Sequence, residues 1–149
     1  MTTHDLLNLT VSQVMTTDLF IVKTDTLVQE INDIFEREQI HHLPVINDEG
    51  HIKGIISKTD IFLLLDWGTR KGLQSSIQKN QGLMMSNMAK DIMTTHIVSV
   101  MPEDPVTKCV QLFRENYFRA LPVIDSLGRL CGMITIYDLM IRAYTANSD

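Results

Sequence analysis

Residues 42–60 read HLPVINDEGHIKGIISKTD, and residues 120–138 read ALPVIDSLGRLCGMITIYD. One shift of 78 residues lays Leu43-Pro44-Val45-Ile46 on Leu121-Pro122-Val123-Ile124, Gly50 on Gly128, Gly54 on Gly132 and Asp60 on Asp138. The match runs upstream to Met15-Thr16-Thr17 on Met93-Thr94-Thr95, and no gap is needed between Val14 and Asp60. A period of this length is too long for a solenoid unit and suits half of a compact domain. Two copies imply pseudo-twofold symmetry, with function expected in the cleft between them.

Within the first copy, Phe20-Ile21-Val22 is a short β-prone run. Thr26-Leu27-Val28-Gln29 has the form of a capping box, and Leu27, Val28, Ile31, Ile34 and Phe35 recur at helical spacing. In the second copy Asp104 stands at the capping position and Pro105 at the first helical position, where a missing N–H costs nothing. Val106, Cys109, Val110, Leu112 and Phe113 then supply the apolar face. Leu43–Ile46 predicts a strand, with its proline at the strand start or a sheet edge. Asn47–Gly50 and Asp125–Gly128 read as turns whose glycines can take positive φ. Ile52–Ser57 predicts a further strand, with close backbone approach at Gly54, and a helix starting near Lys58 or Thr59. The order per copy is β-α-β-β-α, an α/β fold. The copies span 10–67 and 89–145. The connector 68–88 holds three glycines, and Leu73, Ile77, Met84, Met85 and Met88 give it a partly helical apolar face.

The chain has 149 residues, 44% hydrophobic and 21% charged, enough for a buried core. Thirteen basic against 18 acidic residues leave a net charge of −5, which argues against broad binding to nucleic-acid backbone. No apolar run approaches the ~20 residues of a membrane span. The opening MTTHDLLNLT lacks the basic start and long apolar stretch of a secretory signal. Cys109 and Cys131 form no Cys-x-x-Cys pair and sit among apolar neighbours, as buried thiols of a cytoplasmic protein do. Ile61–Leu65 is apolar all round and Trp67 follows. A helix of that kind must be covered on every side. The chain's own sheet covers one face, so a partner subunit, and hence a homodimer, is expected on the rest.

Asp60 and Asp138 each end a Ser/Thr-x-x-Asp stretch at a predicted helix start. A carboxylate can accept bonds from both hydroxyls of a ribose, Ser57 or Thr135 can face a phosphate, and helix N–H groups attract anions. The same residues at the same place also serve as ordinary helix caps. His41 and His42 precede the Leu-Pro-Val-Ile strand, where the second copy has Arg119 and Ala120. A metal site is not supported: adjacent histidines of an extended segment point in opposite directions, and no second pair accompanies them. No nucleophile–base pair or P-loop is visible, so the chain reads as no enzyme.

These residues resemble the CBS-domain family, named for cystathionine β-synthase. The matching signs are Val14-Met15-Thr16, Leu43-Pro44-Val45-Ile46 and Gly54 through Asp60, then Ile92-Met93-Thr94, Leu121-Pro122-Val123-Ile124 and Gly132 through Asp138. The resemblance covers about residues 10 to 145. It implies a tandem pair, a Bateman module, that regulates another protein and binds an adenosine-containing ligand such as AMP, ADP, ATP or S-adenosylmethionine. It further implies that each site borrows from the other repeat. The Asp138 pocket would use Thr135, Met133 and Arg119 with Thr16, Phe20 and Ile40; Arg119 would be the firmest phosphate ligand, because guanidinium stays charged and grips in two places, with Lys58 of the other pocket a further candidate. The Asp60 pocket would use Ser57, Ile55, Lys58, His41 and His42 with Thr94, Val98 and Phe118. The differences His41-His42 against Arg119-Ala120, and Phe20 against Val98, imply that the two sites bind unequally. The expected function is a ligand sensor that signals in trans to a protein effector. The alternative is a ligand-free module for dimerisation or protein interaction.

Overall fold

Helices need partners for their first N–H groups, and in this chain four of them find carbonyls far away in sequence. The computed structural model describes residues 3–66, 73–116 and 118–147. In chain order they form α1 (Thr3–Leu6), α2 (Val11–Val14), β1 (Val22–Lys23), α3 (Val28–Arg37), β2 (His42–Ile46), β3 (Ile52–Ser57), α4 (Lys58–Asp66), α5 (Leu73–Ser86) and α6 (Ala89–Ile92). Then come α7 (Val106–Asn116), β4 (Ala120–Ile124), β5 (Leu130–Thr135) and α8 (Ile136–Asn147). These gather into two compact units, one of Met1–Leu19 with Ile97–Asp149, the other of Phe20–His96. The segment that leads the first copy therefore folds with the second, and the segment that leads the second folds with the first.

Backbone hydrogen bonds make this exchange, in the same way in each unit. In the Phe20–His96 unit the Val28 N–H opening α3 donates to Asn87 O at 2.9 Å, and Ala89 N–H donates to Thr26 O at 2.8 Å. In the other unit the Val106 N–H opening α7 donates to Leu9 O at 2.9 Å, and Val11 N–H donates to Asp104 O at 2.8 Å. Neither expected capping device is used. Leu27, the cap of α3, makes no side-chain cap bond. Thr26 Oγ1 instead accepts from Lys23 N–H at 3.0 Å, and Asp104 Oδ2 from Met101 N–H at 2.8 Å. Each side chain closes the turn ahead of the helix, since the leading segment already satisfies the helix end. Pro105 stands one residue before α7 rather than inside it.

In the Phe20–His96 unit the sheet order is β1-β2-β3, with β1 parallel and β3 antiparallel to β2. Phe20 and Ile21 lie outside β1 and are exposed, so only Val22 of the expected run enters the sheet. Pro44 sits inside the central strand, not at an edge. It is tolerated because β1 pairs only from Val45 onward. In the other unit β4 and β5 form a hairpin, and the expected first strand shrinks to one parallel bridge, Val100 to Val123. Val100 N–H donates to Pro122 O and Ile124 N–H to Val100 O. The next donor along that ladder would be residue 102, a proline with no N–H.

Helices α3 and α7 each bury residues at i, i+3 and i+7: Val28, Ile31 and Phe35 in one, Val106, Cys109 and Phe113 in the other. They pack on strand residues Leu43, Val45 and Ile56, and Leu121, Val123 and Ile134, respectively. Each such side chain contributes roughly 1.5–3 kcal/mol by leaving water. Gly50 and Gly128 take φ of 85° and 79° in the turns, as read from sequence. Asn47 Oδ1 accepts from the N–H groups of Glu49 and His51, and Asp125 Oδ1 from those of Leu127 and Arg129.

Three further expectations are modified. Cys109 is buried and its thiol is pushed up to about 11 by burial, whereas Cys131 is only half-buried, its Sγ 3.3 Å from Val123 O. On α4, Ile61 is buried and Leu64 and Leu65 pack against the core, but Phe62 and Leu63 are 67% and 61% exposed. The helix is thus covered on one side only, and Trp67 lies outside the described residues. Residues 73–86 of the connector form one helix, with Met84 against the core and Met85 exposed.

The Asp104 carboxyl is held below its ordinary 3.8, first by the Met101 N–H and also by Lys108, against a smaller opposing effect of burial. A depressed folded-state value stabilises the fold above the ordinary value, and this is lost as pH falls through the depressed one. Asp104→Asn is therefore expected to lower the urea midpoint at pH 7, with the difference narrowing as pH falls past 3.8 and closing only below the depressed value. Equal midpoints at pH 7 would show that the turn does not depend on the charge.

Candidate functional site

Each unit has one junction where a strand runs straight into a helix whose third residue is aspartate. At β3–α4, Ser57 N–H donates to Asp60 Oδ2 at 2.8 Å and Ser57 Oγ to the same oxygen at 3.2 Å, while Asp60 N–H reaches Ser57 Oγ at 3.4 Å. At β5–α8, Thr135 N–H donates to Asp138 Oδ2 at 2.9 Å, and Asp138 N–H donates to Thr135 Oγ1 at 3.0 Å. These are reciprocal caps, so the capping role read from sequence is real. It does not exhaust the carboxylates, which have about four lone-pair sites each.

The leading segments are clamped beside these junctions. Thr16 N–H donates to Met133 O at 2.8 Å and Met133 N–H returns a bond to Thr16 O at 2.9 Å. Thr94 and Ile55 repeat the exchange at 2.9 and 3.1 Å. Thr16 Oγ1 also donates to Asp138 Oδ1 at 3.1 Å. The approach requires glycine next door. A Cβ on Gly54 would fall 2.5 Å from Met93 Sδ and 2.8 Å from Met93 Cβ, and one on Gly132 would fall 2.7 Å from Met15 Sδ. Met15 and Met93 are the positioning residues that sequence reading passed over. The identical Met-Thr-Thr in both copies, paired with identical glycines, was the available signal.

The structure thus brings Thr16, Met133, Thr135 and Asp138 together in one unit, and Ile55, Ser57, Asp60 and Thr94 in the other. Arg119 and His41 stand next to the helix starts through their carbonyls, which accept from Ile136 N–H at 3.2 Å and Lys58 N–H at 3.4 Å. Both are exposed, and Lys58 is half-buried. His42 pairs with Ser57 across β2 and β3, where the other unit pairs Ala120 with Thr135. Phe20 and Ile40, grouped with Asp138 by resemblance, belong to the Phe20–His96 unit, and Val98 and Phe118 to the other. Phe20 is exposed, Ile40 packs on the core of its own unit, and Val98 and Phe118 pack on theirs. Among the described residues, no three His, Cys, Asp or Glu side chains group so as to hold a metal ion.

The family described as CBS domain matches residues 11–66 and 89–143. The chain belongs to the CBS domain family. It is 31% identical over 130 residues to a CBS domain-containing protein of Dictyostelium discoideum, covering 87% of this chain and 88% of that one. It is 30% identical over 127 residues to homoserine O-acetyltransferase of Methanosalsum zhilinae, but spans only 22% of that enzyme. Among solved structures, CBSX2 of Arabidopsis thaliana in complex with AMP matches with a TM-score of 0.75 at 28% identity, covering 93% of this chain and 98% of that one. With two matched stretches, the chain is a CBS pair. No described helix is long and apolar enough to cross a membrane.

The glycine beneath each junction is testable. Gly54→Ala is expected to cost about 1–3 kcal/mol in urea unfolding, as overpacking does, because Met93 Cβ cannot swing away. An unchanged midpoint would show that the Met93 segment yields freely.

Proposed function

We propose that this CBS pair is a regulatory sensor of an adenosine-containing ligand, with AMP, ADP, ATP and S-adenosylmethionine as the candidates. The observation that carries the reading is the pair of strand-to-helix junctions, each with an aspartate at the helix start beside a clamped threonine, in a chain similar to a CBS protein crystallised with AMP. Asp138 and Asp60 would take ribose hydroxyls, and Thr135 and Ser57 the phosphate side with the helix N–H groups. Arg119 would grip phosphate more firmly than His41 and His42. Met133, Ile55, Phe20, Ile40, Val98 and Phe118 are the proposed apolar contacts of the base. The protein is not a catalyst in this reading; it acts in the cytoplasm, as a homodimer, on a protein effector. The repeats are taken as 10–67 and 89–145, joined by 68–88.

A second reading, a ligand-free interaction module, draws on the exposed apolar side chains Phe62 and Leu63 on α4 and Tyr137 and Met140 on α8. A thermal-shift panel of the four ligands separates the two. A ligand at 100 times its dissociation constant stabilises by roughly 2.7 kcal/mol. Asp60→Asn with Asp138→Asn is expected to abolish the shift. If no ligand raises the melting temperature of wild type, the interaction-module reading replaces the first.

A further inference from the structure

The two aspartates carry the same role in sequence but offer a ligand different faces. Asp60 has both Ser57 bonds on one oxygen, Oδ2, from the N–H at 2.8 Å and from Oγ at 3.2 Å. Asp138 has its two bonds divided, Thr135 N–H on Oδ2 at 2.9 Å and Thr16 Oγ1 on Oδ1 at 3.1 Å. Each carboxylate oxygen accepts about two bonds. Asp138 therefore keeps an acceptor site on each oxygen, spaced to receive two neighbouring hydroxyls. At Asp60 one oxygen is filled, and both remaining sites lie on the other.

The difference follows from the residues. Thr135 is β-branched, so its χ1 is restricted, and its Oγ1 takes the Asp138 N–H at 3.0 Å as a helix cap. Ser57 is unbranched; its Oγ turns to the carboxylate, and the cap bond lengthens to 3.4 Å. Thr16 then supplies the second donor to Asp138, held in place by its two backbone bonds to Met133, two residues before Thr135.

We infer that Thr16 is a positioning residue that makes the Asp138 site selective for a vicinal diol, so that it discriminates ribonucleotide from 2′-deoxyribonucleotide more sharply than the Asp60 site. The inference rests on the proposal that Asp138 receives ribose. A site built to hydrogen-bond a hydroxyl strongly rejects the analogue that lacks it, because its own polar groups are left unpaired. Losing the Thr16 donor frees the carboxylate to rotate, and the paired geometry goes with it.

The test is calorimetric titration of AMP and 2′-deoxy-AMP into the intact protein, as wild type, Thr16→Val, Thr16→Ser and Asp138→Asn. Thr16→Val is expected to reduce the AMP to deoxy-AMP affinity ratio by about tenfold, the order of one hydrogen bond to a charged group. Thr16→Ser, which keeps the hydroxyl, is expected to retain the ratio. A ratio unchanged in Thr16→Val, with AMP binding still dependent on Asp138, would overturn the role of Thr16 alone. AMP binding absent in wild type, or unaffected by Asp138→Asn, would overturn the ribose reading and this inference with it. Equal loss in Thr16→Val and Thr16→Ser would reduce Thr16 to a backbone role and also refute the inference.

Discussion

The exchange of backbone hydrogen bonds between each leading segment and the unit it joins is the interaction on which the rest of this structure depends. Val28 and Val106 open helices with N–H groups that no residue of their own helix can satisfy. Asn87 and Leu9 take them, from segments that lie outside the β-α-β-β-α core of the same copy. Once those segments are committed, they run on to the strand edge, where Thr16 meets Met133 and Thr94 meets Ile55. The clamp needs close approach, and Gly132 and Gly54 permit it. One bonding scheme thus fixes the helix starts, demands the glycines and delivers a threonine to each aspartate junction.

Because the scheme is repeated, differences between the copies can be traced to single residues. Pro102 in place of Thr24 stops a parallel ladder after one bridge. Asp104 in place of Thr26 closes the same turn with a charge, drawing Lys108 to 3.1 Å. Thr135 in place of Ser57 redirects one hydroxyl and divides the load on the carboxylate differently. Each replacement leaves the backbone route intact and changes what the side chains offer. A duplicated fold can hold two unlike sites in this way without altering its core.

Most of the architecture was legible in the sequence because it rests on local signals. Strand 52–57 and the helix from Lys58 were read at their observed bounds, and Gly50 and Gly128 take the positive φ that their turns require. The capping boxes misled because Thr26 and Asp104 have the right chemistry at the right spacing; only tertiary bonds show the helix ends already satisfied. Pro44 was placed at a strand start or sheet edge on sound grounds, and it lies in a central strand because the neighbouring strand begins one residue later. At the junctions, the aspartates and their Ser/Thr partners were visible in the sequence. The bond from Thr16 to Asp138, across 122 residues, was not. The methionines left only the repeat as a signal, identical Met-Thr-Thr with identical glycines, since a side chain that packs on a glycine makes no local pattern of its own.

A sensor must also convert occupancy into a change that another molecule can read, and a ligand does so only through different affinities for two states. Thr16 is well placed for such a difference. Its hydroxyl shares the Asp138 carboxylate that would hold the ligand, its backbone grips β5, and the chain leaves the unit at Leu19, three residues on. Any ligand that strengthened or broke the Thr16–Asp138 bond would alter the hold on one of the two crossings between the units, Leu19 to Phe20, the other being His96 to Ile97. The counterpart Thr94 has the backbone grip, while the hydroxyl bonded to Asp60 comes from Ser57, within the same junction. A ligand at Asp60 would therefore act on a carboxylate whose hydroxyl partner is local, and one at Asp138 would act on a carboxylate tied to the leading segment. On this physical ground, binding at the Asp138 junction would reach the Leu19–Phe20 crossing through the Thr16 hydroxyl.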